Sequence, residues 1–157
     1  MKCKYCGTEV AIDDAKFCYE CSGVLRDEDY EGVLGIEITP DDVTEYVITG
    51  KIRKTISIGN HIKAEVQTLR TGEHKELNRM VDTATTNVAS KMTYDLEIRH
   101  HTLAYSVCAL NGSVWPADFS QRLKTAENLG SELADILINR INYLHLAIGT
   151  KIQLKDF

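Results

Sequence analysis

The sequence predicts an α+β fold in which a small cysteine-rich module precedes a β-hairpin or meander and a bundle of about four helices. Four of the five cysteines lie in the first 23 residues, and apolar residues then alternate with period two before their spacing becomes helical. We therefore expect a module at residues 1–25, a linker at 26–45, and an α+β body at 46–157. The body comprises a hairpin at 46–69 and a helical part at 71–157.

The N-terminal cysteines form two Cys-x-x-Cys pairs, Cys3 with Cys6 and Cys18 with Cys21, separated by eleven residues. Each pair directs two thiolates toward one point, and a short hairpin that joins the pairs completes a tetrahedral site with no position left for water. Such a closed site stabilises structure and carries out no chemistry. The spacing therefore predicts one structural Zn²⁺ bound by these four cysteines.

The same stretch resembles the short zinc-ribbon family found at protein termini. The likeness covers about 25 residues and is carried by Cys3-Lys4-Tyr5-Cys6-Gly7 and Lys16-Phe17-Cys18-Tyr19-Glu20-Cys21. Gly7 fits the tight corner of positive φ that follows such a cysteine pair.

Bound iron and two disulfides are the alternatives to zinc. Disulfides need an oxidising compartment, whereas Met1 is followed directly by Lys2 and Cys3 without an apolar export signal. We therefore expect a protein that is not secreted. A redox dithiol would need only one Cys-x-x-Cys pair within a βαβ pattern, which the sequence lacks. The fifth cysteine, Cys108, lies in an apolar run that we interpret as helical, and we expect it to be buried.

The net charge of −5 is unevenly distributed along the chain. Residues 26–45 hold eight acidic residues against one basic, and residues 1–25 hold four against three. The ribbon has no excess of basic residues, and the segment beside it has a net charge of −7. This negative charge would repel the phosphates of a nucleic acid. We therefore expect protein partners rather than nucleic acid. We expect no membrane partner, because no apolar run approaches the roughly 20 residues of a membrane span.

Residues 26–45 are predicted to form an acidic linker, with Gly32, Gly35 and Pro40 and a single apolar patch at residues 33–36. One interpretation is a docking peptide that becomes ordered on a partner. The interpretation that we favour is a solvated linker whose apolar patch lies on its own domain.

The body begins with alternating residues that predict a hairpin with one buried face: Tyr46, Ile48, Ile52, Ile56 and Ile58, then Ile62, Ala64 and Val66 after a turn at Gly59-Asn60-His61. The basic cluster Lys51, Arg53 and Lys54 lies in the first strand region. It fits either an acidic partner, including the chain's own linker, or a solvated edge that prevents strand aggregation.

Four helices are predicted after the hairpin: Thr71 to about Ser90, Thr93 to Asn111-Gly112, Gln121–Leu129, and Ser131 to about Ile148. Thr71 is the predicted N-cap of the first helix, and Gly112 the left-handed residue that ends the second. Trp115 is predicted to anchor the next loop to the body. The second helix is expected to direct Leu96, His100, Leu103, Val107, Cys108 and Leu110 inward.

The last predicted helix has an unusually wide apolar face. It comprises Leu133, Leu137, Ile141, Leu144 and Ile148, with Ile136, Ile138 and Leu146 beyond them. Such a face packs either on the chain's own helices or on another subunit, so a homo-oligomer formed through the C-terminal helix is one expectation.

No catalytic site is predicted. Glu97 and His100 have the Glu-x-x-His spacing of di-iron bundles, but the last helix offers only Asn142 and His145, which lack the second acid. We interpret His100 as a core histidine and the protein as non-enzymatic. A small metalloenzyme would need a second metal at Glu97 and His100.

Three short pieces of the body resemble tail assembly chaperones and related baseplate-hub assembly proteins of tailed bacteriophages. They are Leu69-Arg70-Thr71-Gly72-Glu73, Leu103 to Gly112, and Leu133 to Leu146, within roughly residues 46–150. The N-terminal ribbon departs from that pattern. The resemblance implies a non-catalytic phage structural or assembly protein that binds other tail, baseplate or virion proteins. It also implies a location in the cytoplasm of the bacterial host, and in the virion if the protein stays in the finished particle.

The alternative function is a zinc-ribbon accessory protein that binds nucleic acid through the ribbon and the basic cluster.

Overall fold

The computed structural model describes residues 2–3, 6–11, 18–21, 30–86 and 91–152, with only the backbone described at 81–86 and 91–95. Within these residues the fold is α+β, as predicted, with six helices and a four-stranded antiparallel sheet of order β1-β2-β3-β4. The elements are α1 Tyr30–Leu34, α2 Pro40–Thr49, β1 Arg53–Ile58, β2 Ile62–Gln67, α3 Thr71–Thr86, α4 Lys91–Ser106, β3 Val107–Leu110, β4 Ser113–Val114, α5 Phe119–Glu127 and α6 Ser131–Lys151.

The predicted strand start at Tyr46 and Ile48 is wrong, because both residues lie in α2. A capping box begins this helix: the Thr39 hydroxyl accepts a hydrogen bond from the Asp42 N–H at 3.2 Å, and the Asp42 carboxylate accepts one from the Thr39 N–H at 2.8 Å. Pro40, whose missing N–H costs nothing in the first turn, follows the cap. This capping signal begins a helix that includes Tyr46 and Ile48, although their alternation predicts a strand.

The apolar patch of the predicted acidic linker lies on the chain's own body, as the favoured interpretation expects. Leu34 is buried in the main core, and the Tyr30 ring lies 5.5 Å from the ring of Tyr143 on α6. The Arg140 guanidinium donates a hydrogen bond to the Val33 carbonyl at 2.6 Å. Two helices, α1 and α2, thus occupy much of residues 26–45, while the division of the chain into separate domains stays a prediction.

The predicted hairpin is confirmed by β1 and β2, which pair antiparallel in a register that places Ile58 opposite Ile62. Gly59 takes φ 60° in the connecting turn, a conformation that glycine adopts without strain. Ile56, Ala64 and Val66 are fully buried on the face that forms the core. Alternation predicts these strands correctly because the buried residues of the hairpin share one face.

The second predicted helix extends too far. α4 ends at Ser106, and Val107–Leu110 continues directly as strand β3, so Cys108 is buried as predicted but lies on a strand. Asn111 and Gly112 have φ of 48° and 78°, and they form the two-residue turn to β4 instead of a helix cap. The Asn111 side chain accepts a hydrogen bond from the Lys63 N–H at 2.7 Å. This contact holds the turn against β2.

The basic cluster Lys51, Arg53 and Lys54 is neutralised by carboxylates of the same chain. The nitrogen-to-oxygen distances are 2.8 Å for Lys51 with Glu73, 3.0 Å for Arg53 with Glu65 and 2.5 Å for Lys54 with Asp42. Lys54 therefore does meet the predicted linker, through its residue Asp42. The cluster does not present three uncompensated positive charges to an external polyanion.

Part of the wide apolar face predicted for the last helix is buried in α6, where Leu137, Ile141, Leu144 and Ile148 contribute to the main core. Leu96 on α4, predicted to point inward, is instead 44% exposed. α4 therefore contributes to the core through its C-terminal half, where Leu103 is fully buried.

Trp115 is buried as predicted, and its backbone N–H donates a hydrogen bond to the Cys108 carbonyl at 2.8 Å. Next to its ring lies Arg122 of α5, with the guanidinium carbon 6.0 Å from the ring centroid. The Arg122 guanidinium donates hydrogen bonds to the carbonyls of Ala104 at 2.5 Å, Pro116 at 3.2 Å and Val107. The last carbonyls of a helix lack partners within the helix, so Arg122 satisfies the end of α4 where the chain turns into β3.

His145 connects α6 to the junction between β2 and α3. Its Nε2 accepts a hydrogen bond from the Leu69 N–H at 3.1 Å, which requires the neutral ring. Burial lowers the pKa of His145 to about 4; the nearby His74 also lowers this pKa, and Glu73 opposes the shift. The ring of His74 lies 5.3 Å from that of His145.

The lowered pKa of His145 predicts acid sensitivity of the fold. Because the folded pKa of about 4 lies below the ordinary 6.5, the stabilisation is complete above pH 6.5 and is lost as the pH falls toward 4. We expect this group to lower the free energy of unfolding by about 2–3 kcal/mol over that interval. Urea denaturation at several pH values in this interval measures how steeply the free energy of unfolding falls with pH. His145→Gln, whose amide oxygen accepts the same N–H without titrating, should remove the contribution of His145 to this pH dependence. An unchanged pH dependence in the variant would contradict the role given to His145.

Candidate metal centre

The first cysteine pair lies in a tight backbone turn. The Gly7 N–H donates a hydrogen bond to the Cys3 carbonyl at 2.9 Å, and the Cys3 N–H donates one to the Thr8 carbonyl at 2.9 Å. Gly7 has φ 75°, the conformation expected at this corner. The turn reverses the chain within a few residues and so brings Cys3 and Cys6 to the same side.

The four N-terminal cysteines converge on one point. The Cys3 and Cys21 sulfurs are 3.6 Å apart, as are those of Cys6 and Cys18, and all four sulfurs lie within 4.8 Å of one another. A disulfide would need about 2.05 Å between sulfurs, whereas four thiolates at about 2.3 Å from one tetrahedral ion lie about 3.8 Å apart. The cysteines are free thiols, and their geometry fits a single bound metal ion.

The site has a buried side and an exposed side. Cys3 and Cys18 are 2% and 1% exposed and form a small apolar cluster with Val10, whereas Cys6 and Cys21 face solvent. A cluster of three small residues buries little apolar area, so it provides only a small part of the free energy needed to order this module. The bound ion would supply the rest.

Cys6 is the thiol whose pKa is shifted most clearly in the metal site. Hydrogen bonds with the Thr8 side chain, whose hydroxyl oxygen lies 3.2 Å from the sulfur, and with the Thr8 backbone lower its pKa from 9.0 to about 6, with some opposition from desolvation. The thiolate is the form that binds a metal ion. Thr8 therefore favours the ligating form of Cys6 at neutral pH.

The remaining residues considered for chemistry lie apart from this site. Cys108 is buried in the body, and burial raises its pKa, so it is not an activated nucleophile. Glu97 is exposed and His100 is half-buried on α4. Among the described residues, the four N-terminal cysteines are the only group of three or more side chains that could hold a metal ion. A second metal at Glu97 and His100 therefore has no support.

Sequence reasoning identified all four cysteines but missed Thr8, Arg122 and the role of His145. Thr8 follows a Cys-x-x-Cys-Gly run, and its effect on Cys6 depends on the turn that returns its hydroxyl to the sulfur. Arg122 and His145 bind backbone groups that are distant in sequence, and no motif marks such contacts.

Comparisons with known proteins give no relative for this chain. No family model, no curated protein and no solved structure matches it. The resemblances to zinc ribbons and to phage assembly proteins are therefore carried by the residues alone. None of the described helices combines the length and the apolar character that a membrane-spanning segment needs.

Proposed function

We propose that this chain is a non-catalytic, protein-binding protein whose N-terminal module is held together by one structural Zn²⁺ bound to Cys3, Cys6, Cys18 and Cys21. The observation that carries the proposal is the convergence of four sulfurs within 4.8 Å. Four thiolates fill the coordination shell of a tetrahedral ion and leave no position for water or a substrate. A site of this kind serves folding rather than a reaction.

Zinc is proposed over iron because nothing in the site points to electron transfer. Both ions accept four thiolates in a tetrahedron, but iron in such a site serves electron transfer, and zinc has no redox chemistry.

Metal analysis of the purified full-length chain tests this proposal. We expect one zinc per chain and no iron, with an unchanged ratio in Cys108→Ala, which removes a thiol outside the site. A red, iron-containing protein would overturn the choice of metal. Free thiols with no metal after purification without chelators would overturn the site itself.

Protein partners are proposed over nucleic acid because the charges favour them. The three members of the basic cluster pair with carboxylates of the chain, and the ribbon carries no basic excess. The alternative, a nucleic-acid-binding accessory protein, predicts a gel shift of DNA or RNA that weakens steeply with salt. We expect no such shift at physiological ionic strength, and its appearance would favour the alternative.

A narrower proposal is a structural or assembly role in a tailed bacteriophage, with tail or baseplate proteins as partners in the host cytoplasm and the virion. It is supported by a hairpin followed by α3, where the Glu73 carboxylate accepts a hydrogen bond from the Arg70 N–H at 2.7 Å. One piece of the resemblance does not match, since Asn111 and Gly112 form a strand turn rather than a helix end. Co-purification of the full chain followed by mass spectrometry tests the proposal. Recovery of partners other than tail or baseplate proteins would reject it.

A further inference from the structure

The four thiols of the metal centre differ in their access to solvent. Cys6 and Cys21 are exposed, whereas Cys3 and Cys18 are buried. Four thiolates around one ion keep substrates away from the metal, but they do not keep a small oxidant away from a sulfur that faces solvent. Two sulfurs of the site are therefore open to oxidation, and two are shielded from it.

Each exposed sulfur lies beside a shielded one. The Cys21 sulfur is 3.6 Å from that of Cys3, and the Cys6 sulfur is 3.6 Å from that of Cys18. Both distances join sulfurs of different Cys-x-x-Cys pairs. A cysteine oxidised to sulfenic acid condenses with a neighbouring thiol to form a disulfide. Because a disulfide is about 2.05 Å long, the sulfurs in each couple need to approach each other by only about 1.5 Å.

We infer that the N-terminal module is a peroxide-sensitive switch, in which the four cysteines change from metal ligands to two disulfides. One disulfide joins Cys3 to Cys21, and the other joins Cys6 to Cys18. This inference rests on the proposed metal site and adds a reaction of its sulfurs. A disulfide sulfur is no longer a thiolate, the form that binds a metal ion, so oxidation releases the ion.

The reaction proceeds in the same two steps at each couple of sulfurs. The exposed thiolate attacks one oxygen of hydrogen peroxide, the O–O bond breaks, and hydroxide leaves a sulfenic acid behind. The buried thiolate attacks the sulfur of this acid, the S–O bond breaks, and a second hydroxide leaves. Each hydroxide takes up a proton and becomes water. Two molecules of peroxide therefore accept four electrons from four thiolates and, with four protons, give two disulfides and four molecules of water.

Peroxide treatment of the zinc-loaded full chain, with a zinc-binding dye present, tests the switch. We expect release of one zinc per chain. The chain should then weigh about 4 Da less than the reduced, metal-free chain, because each of four thiols loses one hydrogen. Reduction with dithiothreitol followed by added zinc should restore the starting state. Cys108→Ala is the control, since Cys108 is buried outside the site, and it should release the same amount of zinc at the same rate.

Zinc analysis before peroxide is added separates this inference from the proposed function. A chain without zinc at the start would overturn both the metal site and the switch. A chain that binds zinc but keeps it in excess peroxide would overturn the switch alone. The switch would likewise be overturned if the chain lost its zinc but gained the oxygen of sulfinic acid, with no disulfide formed.

Peptide mapping of the oxidised chain without reduction identifies the disulfides. Trypsin cleaves after Lys4 and Lys16, which separates Cys3, Cys6 and the second cysteine pair from one another. A glutamate-specific protease then cleaves after Glu20, between the two cysteines of the second pair. We expect the peptide of Cys3 to be linked to that of the last cysteine in the module, and the peptides of the two inner cysteines to be linked to each other. Disulfides within each Cys-x-x-Cys pair, or any other pairing, would overturn the inference.

Discussion

Replacing Cys3 and Cys6 together by serine is expected to abolish metal binding and unfold the N-terminal module, while the α+β body keeps its helices. Structural zinc contributes on the order of 10–16 kcal/mol to the folding of small cysteine modules. The apolar cluster of Cys3, Val10 and Cys18 provides far less. The body has its own core, in which Leu103, Leu137 and their neighbours are fully buried, so it should not need the metal.

Metal content and far-ultraviolet circular dichroism measure the two halves of this prediction. The double serine variant should contain no zinc and should keep most of its helical signal. Cys108→Ala provides the control, because it removes one cysteine yet leaves the four sulfurs of the site in place. Loss of most helical signal in the double variant would show that the module and the body fold as one unit.

Replacing Arg122 by alanine is expected to lower the free energy of unfolding by about 3 kcal/mol, and Tm by about 6–12 °C. The guanidinium donates to three carbonyls, and two of them belong to Ala104 and Val107, whose residues are fully buried. Without Arg122, these two carbonyls, one in the last turn of α4 and one at the start of β3, lose this partner where water has little access. The junction between α4 and β3 should then open first.

Arg140→Ala is the matched control for Arg122→Ala. Arg140 donates a hydrogen bond to the single carbonyl of Val33 from an exposed position, so we expect a loss of about 1 kcal/mol or less. Arg122→Lys should lose an amount of unfolding free energy between those of the two alanine variants. Its ammonium group keeps the charge but cannot donate to three carbonyls in the planar geometry of the guanidinium. Equal melting temperatures for Arg122→Ala and Arg140→Ala would contradict the assigned role.

The parts of the fold that follow from local pattern could be predicted. α6 and the turn of the β1–β2 hairpin match their expected positions, because the apolar residues beside each repeat at the period of the structure that they form. The cysteine quartet could be predicted as well, since its spacing is the signal. α2 was misassigned although Thr39, Pro40 and Asp42 form a capping signal, because the alternation at Tyr46 and Ile48 competed with it.

The sequence by itself determined which four side chains converge at the N-terminus, where the hairpin turns and which face of the last helix is buried. These features depend on residues about 20 positions apart or fewer. Only the tertiary structure decided that Val107–Leu110 leaves the helix and joins the sheet, because the pairing groups belong to β2. The same holds for Lys63 with Asn111, 48 positions apart, and for Leu69 with His145, 76 positions apart. A backbone group that needs a hydrogen-bond partner takes it from whatever side chain or strand the folded chain brings near, and local pattern does not carry that information.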